Sequence, residues 1–485
     1  MQFYSTKNAN LKASGTEAIV RGLAPDGGLY LPSEFRAFPM EKLSRLTGEE
    51  ISVKVLASLF EEFDEKELSE CVRAAYSENF ENGDISPLVP VGDAWSMELF
   101  HGPTCAFKDV ALCLLPHLLT RSMKKCGIKD EVCILTATSG DTGSAALFGF
   151  SDVKGTKIIV FYPDGGVSPM QRKQMVTCPG KNTSVTAVKG NFDDAQTGVK
   201  AIFAAPPEVS GVRFSSANSI NIGRLAPQIA YYFKAYHDLM NEGKIRLGDK
   251  VNFVVPTGNF GDILAGYFAK KMGLPVGKLV CASNENRVLT DFFETGVYDR
   301  RREFRLTSSP SMDILISSNL ERLISMTVGT EKCGELMNQL KETGVYTLED
   351  KALKQLKQEF SAGYADDKET RKTIRETFEK FGYLMDPHTA VAHAVYNKWK
   401  KSAEGNDLPT VILSTASPYK FTKAVLEALG QVPTADEYEN LVKLSDLTKT
   451  AIPAALSRLA DAEVKHPDGI AVSEMQEFVK IRAGK

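Results

Sequence analysis

The sequence predicts a protein of the α/β class, in which helices cover both faces of parallel sheets. Short, almost continuously apolar runs occur at 132–138, 157–163, 251–256, 279–283 and 410–415. Such runs are typical of strands buried on both faces of a parallel sheet, and helical patterns alternate with them. The first two runs lie about ninety residues before the other three. We therefore expect two α/β lobes with a ligand site between them.

The order of these patterns divides the chain into three parts. The stretch 1–88 opens with a loop rich in glycine and proline and continues with helical periodicities, so it is predicted to be mainly helical. Residues 89–230 are predicted to form the first α/β lobe. Residues 231–485 are predicted to form the second, with a helical, charged insertion at about 330–400.

Composition excludes several classes of function. The chain has 485 residues, 43% of them hydrophobic, and a net charge of −3, which is typical of a globular protein with several cores. The basic cluster at 300–302 is interspersed with acidic residues and is interpreted as solvated surface, so no nucleic-acid partner is expected. The longest apolar run, 110–119, is too short to cross a membrane.

Cysteine and histidine usage indicates the compartment and argues against a metal. The eight cysteines form no C-x-x-C pair and no secretory signal is visible, so a reducing cytoplasm is expected. His388 and His393 are five residues apart, which does not place them on one helix face, and no metal site is predicted. The sequence does not distinguish a monomer from a homodimer.

A glycine-containing turn at 256–262 follows the third predicted strand and precedes a helix. Free N–H groups and the positive end of the dipole at a helix start favour an anion, and Gly258 and Gly261 let the backbone approach it closely. The turn matches neither a P-loop nor a dinucleotide fingerprint, which favours a phosphate ligand smaller than a nucleotide. The alternative is that the glycines serve turn geometry alone.

Two other strand ends carry hydroxyl groups. The turn at 139–143 offers Ser139 and Thr142 at a helix start, which suits a substrate carboxylate, although a plain helix cap is an equal alternative. The turn at 414–418 places a hydroxyl where it could meet an uncharged ring nitrogen, or is simply a strand end closed by Pro418.

Lys108 begins a very hydrophobic helical segment. Burial and a helix N-terminus both disfavour a cation, so the pKa of this amine is expected to be lowered. A neutral amine is what Schiff-base chemistry requires. The alternative is an ordinary lysine at a helix boundary, paired with Asp109.

Several motifs occur in the order seen in threonine synthases, and the chain resembles that family over nearly its whole length. They are H-G-P-T-C-A-F-K-D at 101–109, S-G-D-T-G at 139–143, G-N-F-G at 258–261 and S-T-A-S-P-Y-K-F at 414–421, with further likeness at 22–32 and 218–224. The length is most similar to that of the longer branch found in fungi and many bacteria.

The resemblance implies a fold-type-II pyridoxal-phosphate (PLP) architecture, similar to the tryptophan synthase β-subunit. It further implies that Lys108 carries the cofactor as a Schiff base and that Thr415 meets the pyridine nitrogen. The implied phosphate-binding residues are Gly258, Asn259, Phe260 and Gly261. The S-G-D-T-G loop, with Ser139, Asp141 and Thr142, is implied to lie beside the cofactor and the substrate carboxylate.

Asp262 follows the G-N-F-G motif where many relatives have asparagine. It is included among the implied cofactor-binding positions. A carboxylate beside a dianionic phosphate would be repelled, so we expect Asp262 to cap its helix or to turn toward another donor.

The activity implied by the resemblance is conversion of O-phospho-L-homoserine and water to L-threonine and phosphate, with Lys108 as general base. Three alternatives stay open: a related lyase that yields 2-ketobutyrate, a serine/threonine dehydratase-like enzyme, and a catalytically silent binding protein. The candidates for holding the substrate phosphate are Asn218, Ser219 and Arg224, with Lys173 and Lys420 behind them.

Overall fold

The computed structural model describes residues 1–467 and 469–484, with side chains throughout except at 82, 192 and 193. The N-terminal part contains β1 (Gln2–Ser5), β2 (Asn8–Ser14), α1 (Gly15–Arg21), β3 (Tyr30–Pro32), α2 (Gly48–Leu59) and α3 (Glu65–Tyr76). Its three strands form an antiparallel sheet in the order β2-β1-β3, which the prediction of a mainly helical unit missed. β1 has only four residues, too few for an alternating pattern to stand out.

The helices of this part begin at sequence signals for a helix start. A capping box starts each of the three helices: Ser14 with Glu17 at α1, Thr47 with Glu50 at α2, and Asp64 with Glu67 at α3. In each box the first side chain accepts from the third backbone N–H, and the acidic side chain accepts from the cap N–H.

The next segment alternates strands and helices. It contains β4 (Leu88–Val91), β5 (Ala94–Glu98), α4 (Lys108–Lys125), β6 (Glu131–Ala137), α5 (Asp141–Phe150), β7 (Thr156–Pro163), α6 (Pro169–Val176), β8 (Thr183–Lys189), α7 (Phe192–Ala204), β9 (Val212–Ser215) and α8 (Ile222–Asn241). Helices α1, α2 and α3 pack against α4 or α8, so the N-terminal part supports the helix that begins at Lys108.

The remainder of the chain begins with two more strand–helix units. It contains β10 (Val251–Pro256), α9 (Gly261–Lys271), β11 (Val276–Ser283), α10 (Val288–Thr295), β12 (Val297–Asp299), α11 (Leu320–Val328), α12 (Thr330–Thr343), β13 (Val345–Thr347), α13 (Asp350–Glu359), β14 (Phe360–Tyr364), α14 (Asp367–Phe381), α15 (Pro387–Trp399), β15 (Thr410–Ser414), α16 (Thr422–Ala428), α17 (Glu437–Thr448), α18 (Ala454–Ser457), β16 (Gly469–Ala471) and α19 (Met475–Ala483).

Two sheets dominate the architecture, and the five strands predicted from apolar runs lie in them. The smaller sheet has the order β16-β8-β7-β6-β9 and is parallel throughout. The larger has the order β14-β11-β10-β15-β5-β4, with only the β4–β5 pair antiparallel. The turns at 139–143, 258–262 and 414–418 therefore follow the carboxyl ends of parallel strands, where ligands bind in open α/β sheets.

Sheet membership differs from the ranges predicted for the two lobes. Strands β4 and β5 belong to the larger sheet, although β5 and all but the first residue of β4 fall within the range 89–230 predicted for the first lobe. Strand β16, near the C-terminus, pairs with β8 of the smaller sheet. Such pairings depend on long-range register, which local patterns do not encode. Among the described helices, none is long and apolar enough to span a bilayer.

Candidate active site

Lys108 is the first residue of α4, and its amine lies in a buried, polar junction. Nζ is 3.6 Å from Asp141 Oδ2 and donates to Ser311 Oγ at 3.4 Å. Burial lowers the pKa of Lys108, against the opposing attraction of Asp141. Asp109 turns away and accepts from the Thr104 N–H at 2.8 Å, so it is not the partner of the lysine.

Asp141 begins α5 and lies between two lysines. Its Oδ1 is 2.6 Å from Lys420 Nζ and accepts from Gln171 Nε2 at 2.9 Å. Burial by itself would raise the pKa of Asp141, but the charges of Lys420 and Lys108 hold it well below its usual range. Asp141 is therefore a fixed negative charge beside the Lys108 amine.

The loop before α5 keeps two hydroxyls available. Thr138 Oγ1 accepts from the N–H groups of Gly140 at 3.0 Å and Gly143 at 2.9 Å, so Thr138 satisfies these donors. Ser139 and Thr142 are half-buried, and within the described part of the chain neither hydroxyl has a hydrogen-bond partner. Both can therefore bind a ligand at this helix start.

The glycine turn after β10 is held in place through its carbonyl groups. Ser317 Oγ donates to the Gly258 carbonyl at 2.7 Å, and the Asn319 backbone N–H donates to the Asn259 carbonyl at 3.1 Å. Phe260 has φ of 62°, a left-handed conformation that is uncommon for a bulky residue, and α9 begins at the next residue. The first-turn N–H groups of α9 lack helical acceptors and are suited to an anion.

A side chain at Gly258 would collide with a neighbouring loop. A Cβ built there would lie 2.6 Å from the carbonyl oxygen of Ser311. At Gly261 the nearest atoms are Asn319 Nδ2 at 3.4 Å and Ser219 Cβ at 3.9 Å. Gly258 therefore permits close packing of the turn on the Ser311 loop, and Ser219 lies next to the turn.

Asp262 turns toward two tyrosines, which is one of the two alternatives expected from its sequence. Its Oδ1 accepts from the hydroxyls of Tyr231 and Tyr232, the latter at 3.0 Å. Burial raises the pKa of Asp262 to about 6, against the lowering effect of these hydrogen bonds. Its Oδ2 is buried and has no partner among the described residues.

Thr415 follows β15 and is joined to the segment that carries Lys108. The Phe107 N–H donates to the Thr415 carbonyl at 2.8 Å, and Thr415 N–H donates to Thr389 Oγ1 at 3.3 Å. Ala106 and Ala416 form an antiparallel bridge. The ends of two chain segments that are remote in sequence are thereby fixed side by side.

The candidates for a substrate phosphate differ in their surroundings. Arg224 is buried, donates to the Ala217 carbonyl at 2.9 Å, and has no partner at Nε in the described region; burial lowers its pKa to about 10. Asn218 is half-buried in the segment before α8.

The two lysines proposed behind these residues lie elsewhere. The Lys420 amine is paired with Asp141 and donates to the Thr104 carbonyl at 2.8 Å. Lys173 is half-buried in α6.

Sequence reasoning missed Ser311 and the Asp386–His388 pair. Ser311 N–H donates to His388 Nε2 at 3.1 Å, and His388 Nδ1 lies 2.6 Å from Asp386 Oδ2. The Asp386-Pro387 start of α15 is a readable cap signal. Its contact with a serine 77 residues away is not readable, because no local pattern reports it.

Three family descriptions match the chain. "Pyridoxal-phosphate dependent enzyme" covers residues 93–415, "Threonine synthase N terminus" covers 2–76 and "Threonine synthase, C-terminal" covers 389–474. Together they cover residues 2–76 and 93–474, which include all the candidate site residues.

Individual relatives agree with these matches. Threonine synthase of Saccharomyces cerevisiae is 38% identical over 461 residues, covering 88% of this chain and 89% of that protein. Threonine synthase-like 1 of Macaca fascicularis is 39% identical over 435 residues, and this chain spans only 58% of its length. The crystal structure of PLP-bound threonine synthase from Brucella melitensis superposes with a TM-score of 0.89 at 36% identity, covering 100% of both chains. The chain therefore belongs to the threonine synthase family of pyridoxal-phosphate-dependent enzymes.

Proposed function

We propose that this protein is a threonine synthase that converts O-phospho-L-homoserine and water to L-threonine and phosphate. The observation that carries the proposal is the buried amine of Lys108, 3.6 Å from the Asp141 carboxylate and linked through Ser311 to the glycine turn. The family to which the chain belongs supports the same activity.

The donor set fits pyridoxal phosphate. Lys108 supplies a buried amine with a lowered pKa, suited to a covalent Schiff-base attachment. The turn Gly258, Asn259, Phe260 and Gly261 supplies N–H groups that have no acceptor among the described residues and suit the phosphate, and the buried Thr415 supplies a hydroxyl for the ring nitrogen. When bound, the cofactor supplies a conjugated ring that stabilises negative charge on a substrate carbon.

The residues of the chain then divide the remaining work. The buried Nζ of Lys108, whose pKa is lowered by burial, is the group proposed to accept a proton from a substrate carbon. Asp141, held ionised by Lys420, stabilises the amine once it is protonated. Ser139 and Thr142 offer hydroxyls to the substrate carboxylate.

Binding of the substrate phosphate falls to the segment that opens α8. Arg224 retains an unpaired Nε, and Ser219 lies beside Gly261. With Asn218 they form a polar group suited to a phosphate ester. Asp262 is proposed to stabilise α8 rather than to bind the phosphate directly, because its Oδ1 accepts from Tyr231 and Tyr232 of that helix.

The eight cysteines are all unpaired thiols, and seven are buried. Free thiols are typical of a reducing compartment, and we propose the cytoplasm.

The test is a coupled assay of purified protein supplied with O-phosphohomoserine, in which phosphate and threonine are measured together. The account predicts that the two products appear in equal amounts. Phosphate with 2-ketobutyrate and no threonine would instead identify a lyase. Absence of both products would identify a silent relative and contradict the proposal.

A further inference from the structure

We infer that Ser311, held by the Asp386–His388 pair, is a positioning residue that orients the Lys108 amine between Asp141 and the glycine turn. The inference rests on the proposed function, because it concerns the lysine that is proposed to carry the cofactor. Ser311, Asp386 and His388 all lie outside the motifs by which the sequence resembles the threonine synthase family.

Ser311 makes contacts in four directions. Its Oγ accepts from Lys108 Nζ at 3.4 Å and donates to Asp141 Oδ2 at 3.3 Å, so the hydroxyl bridges an amine and a carboxylate that are 3.6 Å apart. Its carbonyl oxygen lies 2.6 Å from where a Gly258 Cβ would be. Its N–H donates to His388 Nε2 at 3.1 Å. One residue therefore touches the lysine, its counter-ion and the glycine turn at once.

The histidine is fixed in the tautomer that can hold this serine. Because His388 Nε2 accepts from the Ser311 N–H, the ring proton lies on Nδ1, where Asp386 Oδ2 accepts at 2.6 Å. Asp386 also caps α15 by accepting from the backbone N–H groups of His388 and Thr389. Both members of the pair are buried. The imidazole is thus an acceptor with little freedom to rotate.

The loop that carries Ser311 is anchored on both flanks. Asp313 accepts from Asn284 Nδ2 and from the Thr307 hydroxyl, both at 2.8 Å. The Ser308 backbone N–H donates to Asp367 Oδ1 at 3.1 Å, a contact that does not depend on the serine hydroxyl. These anchors hold the loop as a whole, whereas the His388 contact determines where the Ser311 N–H points. Loss of that contact should therefore alter the serine without unfolding the loop.

The test compares Ser311→Ala with Ser308→Ala in the full chain. Both remove one hydroxyl from the same loop, but only Ser311 touches Lys108. Titration with pyridoxal phosphate, followed by visible absorbance, should show about tenfold weaker binding for Ser311→Ala, the size of one lost hydrogen bond to a charged group. Ser308→Ala should bind within about twofold of the unaltered protein.

A second readout does not require the cofactor. With the cofactor removed, the full chain is treated with formaldehyde and a borohydride reductant, and methylation of Lys108 is followed by peptide mass spectrometry. Ser311→Ala should change the methylation rate at Lys108 by about threefold or more, in line with a lost contact to the amine. The rates at exposed lysines should not change. This readout stays valid even if the protein forms no threonine.

Substitutions at His388 test the second half of the inference. His388→Leu removes the acceptor of the Ser311 N–H and should weaken pyridoxal phosphate binding as much as Ser311→Ala does. His388→Gln can place an amide oxygen near the Nε2 position, so it should retain most of the affinity. The double variant Ser311→Ala/His388→Leu should lose no more than either single variant. The inference is overturned if Ser311→Ala matches Ser308→Ala in both readouts, or if the two losses simply add.

Discussion

The chemistry of the site centres on the Lys108 amine, which lies 3.6 Å from the Asp141 carboxylate and 3.4 Å from the Ser311 hydroxyl. The position of Lys108 at the start of a hydrophobic helical segment could be predicted from the local pattern, whereas its role as the cofactor lysine was implied only by the resemblance to threonine synthases. Ser311 could not be predicted, because its importance arises from contacts with Asp141 and His388, which are remote in sequence. The side-chain direction of Asp262 also required the fold, since Tyr231 and Tyr232 come from another helix.

Asp262 gives a prediction about pH. Its pKa is raised by burial from 3.8 to about 6. The folded protein therefore retains a proton that the unfolded chain loses between these values, and stability falls as the pH rises through this window. Asp262→Asn stays neutral, so its free energy of unfolding should rise by about 2 kcal/mol relative to that of the unaltered protein between about pH 4.5 and about pH 7.5.

Thermal unfolding of both proteins at the two pH values measures this difference. The difference between the two melting temperatures should be smallest at the acid end, where Asp262 is protonated in the folded protein, and should grow toward neutral pH in favour of the variant. A constant difference across the range would contradict a raised pKa at Asp262.

At the scale of elements, the apolar runs identified five strands, whereas strands with polar residues and short strands were missed. The five predicted runs are β6, β7, β10, β11 and β15. Strand β8, with sequence TSVTAVK, was missed because threonine and serine dilute its apolar character, although it lies inside the smaller sheet. Strand β14 was missed inside a region that was predicted to be helical. The turns that follow the strands were easier to recognise, because glycine and hydroxyl residues mark them.

The glycine turn gives the prediction at this scale. Gly258→Ala should push the turn and the Ser311 loop apart, because the new Cβ would lie 2.6 Å from the Ser311 carbonyl oxygen, which is backbone and cannot rotate away. Affinity for pyridoxal phosphate should fall by about tenfold or more, because the loss of a single hydrogen bond to the phosphate would by itself weaken binding by about that factor.

Gly334→Ala is the matched control for this substitution. Its Cβ would meet its nearest atom, Lys7 Cβ, at an ordinary 3.7 Å, and alanine favours the helix α12. Equilibrium titration should find its affinity unchanged. Equal affinities for the Gly258→Ala and Gly334→Ala proteins would refute the close packing of the turn.

At the scale of the whole molecule, distant segments of the chain assemble the two sheets. Arg322, fully buried, donates to the Tyr30 carbonyl at 2.9 Å and to the Ile220 carbonyl at 2.5 Å, joining the N-terminal part to the segment before α8. The C-terminus returns to the smaller sheet through β16 and α19. Sequence reasoning found neither connection, because neither has a local signature.

The return of α19 predicts a contrast between two neighbouring residues. Val479 is fully buried against the smaller sheet, whereas Ile481 is 48% exposed. Val479→Asp buries an unpaired charge and should lower the melting temperature by several degrees, whereas Ile481→Asp should leave it nearly unchanged. Differential scanning fluorimetry of the two variants makes the comparison, and similar melting temperatures would mean that α19 does not belong to this core.

Chemical trapping of the cofactor on the chain tests whether Lys108 is its point of attachment. The protein is saturated with pyridoxal phosphate, reduced with borohydride, digested and analysed by peptide mass spectrometry. We expect the reduced cofactor to be found on the peptide that contains Lys108. A label on a different lysine, such as Lys420, or an unmodified Lys108 in fully reduced protein, would contradict it.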